Sequence, residues 1–357
     1  MRKLLALISV ISLLLLFWGC PNGIKKTHYN YNAYFPEQAV NLSDVNSIYD
    51  DYNSALPEYH FGKQLIFSSN RHSAGHDFDL IDDNFHATWD MEIGELKVDN
   101  SYWVVNQYIT QMIAKVNWGG NEFAPYAIRF DTVINDVHKR ISLLAYSTNN
   151  DSILYHEEIV YHESEDGGET GNASGPFTIA NLNNNRQQYI SFYGQGVRSL
   201  DLWEMNPNLF TQMYFDADDD GSADIFKIEI PDEMSFMQFL NDTIVREKNK
   251  IEELSTASDD RCPFINGNFM VFTSDRPGGY GGYDLYYSFY NGSEWGEPIN
   301  FGEDINTAYD EFRPVAVQVY EFKNDLMIFS SNRSGGMGGY DLYYVGIDNI
   351  VPTVIVD

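Results

Sequence analysis

Short runs of alternating apolar and polar residues, separated by clusters of Gly, Asn, Asp and Ser, recur along most of the chain. This is the pattern of half-buried strands joined by turns. Helical spacing is confined to two stretches, one within Val105 to Lys115 and one from Phe236 to Leu254. The clearest strands, Met270 to Thr273 and Met327 to Ser330, each enter a Gly-rich loop and leave through a Tyr-rich segment. Each such pair predicts a β-hairpin with a long loop.

The hairpins are copies of one another. Phe272-Thr-Ser-Asp-Arg276, Gly-Gly-Tyr-Gly-Gly and Tyr-Asp284-Leu-Tyr-Tyr287 match Phe329-Ser-Ser-Asn-Arg333, Gly-Gly-Met-Gly-Gly and Tyr-Asp341-Leu-Tyr-Tyr344. A third copy runs from Phe67-Ser-Ser-Asn-Arg71 to Phe78-Asp79-Leu80, with the same spacing from Phe to Asp. Upstream of each stands an acidic opening to another strand: Asp50-Asp51, Asp259-Asp260 and Asp310-Glu311, with a shorter version at Asn121-Glu122. One unit therefore reads as four strands, the blade of a propeller. Weaker units at Ile141 to Glu157 and at Tyr189 to Trp203 bring the anchors to Phe67, Tyr146, Phe192, Phe272 and Phe329, hence five blades. Residues 80–120 and 204–258 are long insertions, and the second is long enough to hide a degenerate sixth blade. The chain stops soon after Tyr344 without an outer strand, whereas residues 29 to 44 supply an outer strand with no hairpin before it. The first strand is expected to complete the last blade and close the ring, which removes exposed sheet edges. The fold class is all-β, a propeller of five or six four-stranded blades with short helical insertions, spanning 29–350 and followed by a tail at 351–357.

The N-terminus adds an address. Met1-Arg2-Lys3 precedes an apolar run from Leu4 to Trp18 and then Gly19-Cys20. The run is too short for a membrane span and has the layout of a secretory signal. The thiol directly after Gly19 resembles the lipobox of bacterial lipoproteins, although Phe17 and Trp18 depart from its usual residues. The expectation is a signal peptide over 1–19, a lipid such as palmitate on Cys20, and a short tether over 20–28. Cys262 is the only other cysteine, so a mature chain acylated at Cys20 forms no internal disulfide. Formal net charge is −30, which disfavours nucleic acid and favours cations or basic partners.

Ser-Asn-Arg, Gly-Gly-x-Gly-Gly and Tyr-Asp-Leu-Tyr after Asp-Glu-x-x-Pro resemble the TolB-type, WD-like propeller repeat of Gram-negative envelope proteins. The resemblance implies a non-catalytic module that binds proteins or other envelope components and has no enzyme activity. With Cys20 it places the chain, lipid-anchored, on the periplasmic face of the outer membrane, with an unidentified envelope protein as partner.

Three constellations carry candidate chemistry. Asp216, Asp218, Asp220, Ser222 and Asp224 with Gly221 have the oxygen spacing of a calcium loop, read as a structural Ca2+ site, although Lys227 stands where an EF-hand has Glu. The alternative is a solvated acidic hairpin. Asp51, Glu122, Asp260 and Glu311 could ring one mouth of the central channel; glycosidic hydrolysis takes two such carboxyls, while recurrence in every repeat points to blade architecture. Arg71, Arg276 and Arg333 with Asp79, Asp284 and Asp341 recur together and are expected to pair or cap within each hairpin. His72 and His76 share a loop without a third metal ligand. The main expectation is a scaffold, with a glycan-active or glycan-binding propeller and a calcium-stabilised surface adhesin as alternatives.

Overall fold

The computed structural model describes residues 31–350 apart from 59–63, 101–106, 119, 135, 150–154, 166–171, 185, 195–209, 220 and 320. The signal segment, Cys20 and the tether expected at 20–28 lie outside the described residues, as does the tail at 351–357. No described helix is long and apolar enough to cross a membrane.

Strand β1 (Val40–Asn41) precedes the first blade, which consists of β2 (Asp51–Glu58), β3 (Gln64–Ser69) and β4 (Asp79–Asn84). A separate hairpin, β5 (His86–Asp90) and β6 (Glu95–Asp99), and helix α1 (Gln107–Val116) follow it. The second blade is β7 (Glu122–Ile134), β8 (Val137–Thr148), β9 (Tyr155–Glu165) and β10 (Ala173–Asn184). The third is β11 (Ile190–Tyr193), β12 (Gln212–Asp219), β13 (Ser222–Glu229) and, after helix α2 (Phe236–Leu240), β14 (Asn249–Lys250). The fourth is β15 (Asp260–Asn266), β16 (Phe269–Ser274), β17 (Asp284–Phe289) and β18 (Ile299–Asn300). The fifth, β19 (Glu311–Val317), β20 (Asp325–Ser331) and β21 (Asp341–Ile347), is completed by β1. Val40 lies opposite Tyr344 and Asn41 opposite Tyr343, so the N-terminal strand closes the ring as expected.

Two expectations change. The repeat pattern puts Phe192 on the second strand of its blade, but Ile190–Tyr193 is the innermost strand, pairing with β12. Most of 204–258, an insertion by the same pattern, is the body of that blade, so the hidden sixth blade is corrected to the middle of the third. Its helical part shrinks to Phe236–Leu240, where Ser235 and Gln238 form a reciprocal capping box. Helix α1 does form within 80–120, and its buried face of Tyr108, Ile109, Met112 and Val116 packs with Ile66, Leu80, Ala127 and Leu144 of the first two blades.

The repeat motif proves to be a set of latches between neighbouring blades. Asn46 donates to the carbonyl of Leu342 at 2.9 Å and accepts from its amide at 2.9 Å. Asn306 does the same to Leu285, and Asn117 to Leu80. The Gly-Gly-x-Gly-Gly loops lie against the entrance of the next blade. A Cβ on Gly281 would meet the carbonyl oxygen of Tyr309 at 2.1 Å, and one on Gly338 that of Tyr49 at 1.8 Å. Only glycine permits that approach.

Candidate functional site

The four repeated acids, Asp51, Glu122, Asp260 and Glu311, are fully buried. They do not ring an open mouth, and this corrects the expectation. Each side chain of the first, fourth and fifth blades turns back into its own blade. Asp51 accepts from the amide of Ser47 and from Arg71 Nη2 at 2.6 Å. Asp260 accepts from the amide of Thr256 and from Arg276, and Glu311 from the amide of Thr307 and from Arg333. The same guanidiniums cap the carbonyls of Val45, Leu254 and Ile305, each at 2.8 Å. The arginines therefore pair with the inner-strand acids rather than with Asp79, Asp284 and Asp341. Asp284 instead accepts from the amides of Tyr280 and Gly281, and Asp341 from those of Met337 and Gly338, ordering the Gly-rich loops. Asp79 faces His72 at 3.6 Å.

Successive side chains of a strand point to opposite sides, so the residue after each acid leaves the blade latch and joins side chains of the other blades in one cluster. These residues are Tyr52, Phe123, Arg261 and Phe312, joined by Tyr189 of the third blade. Around them stand Phe78, Tyr155, Tyr283 and Tyr340, half-buried. The rings pack in two groups within one cluster: Tyr52 lies 5.2 Å from Phe78, 5.7 Å from Phe123 and 5.6 Å from Tyr340. Phe123 lies 6.0 Å from Tyr155, and Phe312 lies 5.8 Å from Tyr189 and 5.4 Å from Tyr283. Such separations fit tilted and edge-to-face packing. Five blades thus contribute to one aromatic cluster where the inner strands begin, with Phe123, Tyr189 and Phe312 buried and the other rings half-buried.

A rim of half-buried carboxylates borders it. Asp50 accepts from the amide of Tyr340 at 2.8 Å, and Asp310 from the amide of Tyr283 at 3.0 Å and from the Tyr340 hydroxyl at 3.2 Å. Asp259 accepts from the Tyr283 hydroxyl, from Arg186 and from the amide of Ala223, each at 2.8 Å. Burial alone would raise the Asp259 pKa, but those donors outweigh it and hold it below its ordinary value. The amides of Asp51, Glu122 and Glu311 in turn donate to the carbonyls of Tyr340, Phe78 and Tyr283, so the aromatic rim and the blade latches are the same residues. Sequence reasoning passes over these aromatics, though the signal is present in Asp51-Tyr52, Glu122-Phe123 and Glu311-Phe312.

The expected calcium loop is the turn between β12 and β13. Asp216 pairs across the ladder with Ile225 and Asp224 with Ala217, so the two carboxylates leave opposite faces of the sheet. Asp216 is bound by Arg261 at 3.0 Å, Asp224 by Lys250 at 2.7 Å, and Asp218 lies 3.4 Å from Arg186. Ser222 sits in the ladder opposite Asp219, and Asp220 lies outside the described residues. The ladder sets Asp224 on the face opposite Asp216 and Asp218, so these three are not gathered around one ion. Among the described residues no group of three or more His, Cys, Asp and Glu is placed to hold a metal.

No protein-family model matches the chain, and no curated protein matches it in sequence. Solved structures similar to it include a mutant of the GH43 protein BlXynB from Bacillus licheniformis, at 9% identity and TM-score 0.41, covering 88% of this chain. The chain spans 57% of that protein. An alpha-L-arabinofuranosidase from Lactobacillus brevis is similar at 6% identity and TM-score 0.42, covering 88% of this chain and 100% of its own. The catalytic domain of a GH62 alpha-L-arabinofuranosidase from Coprinopsis cinerea is similar at 12% identity and TM-score 0.42, covering 88% and 98%. Two of these are arabinofuranosidases and the other is a GH43 protein, at a likeness that bears on the fold alone. The expectation of a non-catalytic, protein-binding scaffold with no enzyme activity is not carried forward; the glycan alternative is, on the geometry of the mouth itself.

Proposed function

We propose that the chain is a glycan-active propeller that takes a saccharide at the aromatic mouth. One observation carries this reading: half-buried rings from four blades, Tyr52, Phe78, Tyr155, Tyr283 and Tyr340, stand over a buried aromatic cluster at one end of the propeller, bordered by Asp50, Asp259 and Asp310. Sugars present C–H faces that stack on aromatic rings and hydroxyls that donate to carboxylates, so this combination of groups matches their chemistry. The repeated acids Asp51, Asp260 and Glu311 take no part, being fully buried. Hydrolysis would draw its two carboxyls from the rim. Asp259, kept ionised by its donors, suits the base or nucleophile, and Asp50 or Asp310 the acid. Arabinose- and xylose-containing oligosaccharides are the first probes. Asp259→Asn is expected to abolish release of reducing sugar while leaving binding within a few-fold of the parent; release at the parent rate by this variant would remove Asp259 from the reaction.

We further infer that the repeat is of the TolB-like kind and that Cys20 carries a lipid holding the propeller to the outer membrane. The support is the lipobox-like sequence and the brevity of the stretch between Cys20 and the closing strand at Val40. A Cys20→Ala form that still sediments with membranes would overturn the anchor.

A further inference from the structure

Directly after Phe312 of the aromatic mouth stands Arg313, the third residue of β19, fully buried and in a left-handed backbone conformation at φ 49°. Its amide donates to Thr273 of the fourth blade at 3.2 Å, and its Nη2 donates to the carbonyl of Pro125 of the second blade at 3.0 Å. Its guanidinium lies 5.2 Å from the Tyr189 ring of the third blade. That ring also receives Arg261 at 5.7 Å. Two guanidiniums on one ring make a strongly positive centre inside an acidic protein. Arg261 is balanced by Asp216. Arg313 forms no ion pair among the described residues, and its Nε and Nη1 have no hydrogen-bond partner.

Two further buried donors, from the first and second blades, are orphaned as well. Asn53 Oδ1 accepts from the Tyr189 hydroxyl at 2.9 Å, which leaves its Nδ2 donor buried without a partner. The hydroxyl of Tyr126, next to Pro125, is likewise buried without one. Arg313 Nε and Nη1, Asn53 Nδ2 and the Tyr126 hydroxyl come from three different blades and are all able to donate. A buried, unbalanced guanidinium costs several kcal/mol, and unsatisfied donors add to it.

We propose that this buried centre holds a small monovalent anion of the halide class, bound by Arg313 with Asn53 and Tyr126. The site lies beside Tyr189 and Phe312, both buried, so the ion sheds its water, which a halide does more readily than a divalent oxyanion. It supplies the charge that Asp216 supplies to Arg261, and it is independent of what occupies the mouth. Burial already disfavours the charged form of Arg313, and an anion at its side restores it.

The full-length protein in sodium gluconate, exchanged into sodium bromide at equal ionic strength, tests this. The melting temperature is expected to rise with each tenfold increase in bromide, as for any ligand of the native state. Crystals grown in bromide are expected to show an anomalous peak beside the Arg313 guanidinium. In Arg313→Met the bromide dependence disappears, and in Tyr126→Phe it shifts to higher concentration. Equal melting in gluconate and bromide together with no anomalous peak would mean that only water satisfies these donors, and the proposal fails. A bromide dependence that survives in Arg313→Met would overturn it equally, and the diffraction measurement stands even if that variant does not fold.

Discussion

The guanidinium of Arg276 reaches the carboxylate of Asp260 at 2.6 Å, tying the end of the second strand of the fourth blade to the start of its first. Arg71 with Asp51 and Arg333 with Glu311 repeat the arrangement. In each pair the acid is fully buried and the arginine partly exposed, which makes loss of the arginine costly. Arg276→Met should destabilise the protein by about 3 kcal/mol, the usual result of stranding a buried charge. Urea unfolding checks this, and a loss under about 1 kcal/mol would mean that the pair behaves like a surface contact.

The Gly-rich loops give a second test. Gly338→Ala places a methyl 1.8 Å from the carbonyl oxygen of Tyr49, a backbone atom with no rotamer to yield. The expected cost is about 2 kcal/mol, within the range of overpacked sites. Ser334→Ala in the same loop, away from the neighbouring blade, should cost almost nothing. Equal effects of the two substitutions would contradict the tight packing of this loop on the next blade.

Ring closure is testable through Asn46, whose side chain satisfies both the amide and the carbonyl of Leu342. Asn46→Ala leaves the buried Leu342 amide unpaired, while the carbonyl keeps the Leu42 amide, at about 2 kcal/mol. Hydrogen exchange at Leu342 should quicken by more than tenfold, while exchange at the matching Leu285, held by Asn306, should follow only global stability. Unchanged exchange at Leu342 would separate closure from this clamp.

A pH dependence follows from Glu157. It is buried, its Oε1 accepts from the Gln188 amide at 3.0 Å, and its Oε2 has no partner; burial pushes its pKa well above the ordinary value. The folded state therefore holds this proton more tightly than the unfolded chain. Its stabilising contribution is complete below the ordinary glutamate pKa and is lost as pH rises through the raised one. Glu157→Gln keeps the acceptor and removes the titration. It should be the more stable protein at pH 8 and lose that advantage by pH 4. Parallel stability curves for the two proteins would show that Glu157 is not the titrating group.

Much of this architecture is legible in the sequence because the latches use polar residues at fixed offsets. Ser-x-Arg, Tyr-Asp-Leu and Asp-Asp/Glu each make a hydrogen bond that recurs from blade to blade. The third blade is illegible because it breaks the pattern. Gln188 replaces the inner acid, and Arg261 of the next blade reaches back to Asp216. Without those anchors, an apolar run such as Ile190–Tyr193 carries no mark of its place in the sheet. The acids of the latches are also easier to see than the aromatics beside them. A row of carboxylates suggests chemistry, but the acids bind within their own blades, and strand alternation sends Tyr52, Phe123 and Phe312 into a shared cluster. Nothing local announces Arg313, whose surroundings come from the other blades.

The most direct test of the mouth as a saccharide site is calorimetric titration of arabinose- and xylose-containing oligosaccharides into the parent protein and into Tyr52→Ala. Loss of one stacking ring should weaken binding by about tenfold, a change of roughly 1.4 kcal/mol, with unchanged affinity in Phe289→Ala on the outside of the fourth blade. Oligosaccharide binding that Tyr52→Ala leaves intact, or no binding by the parent to any of these glycans, would contradict the site.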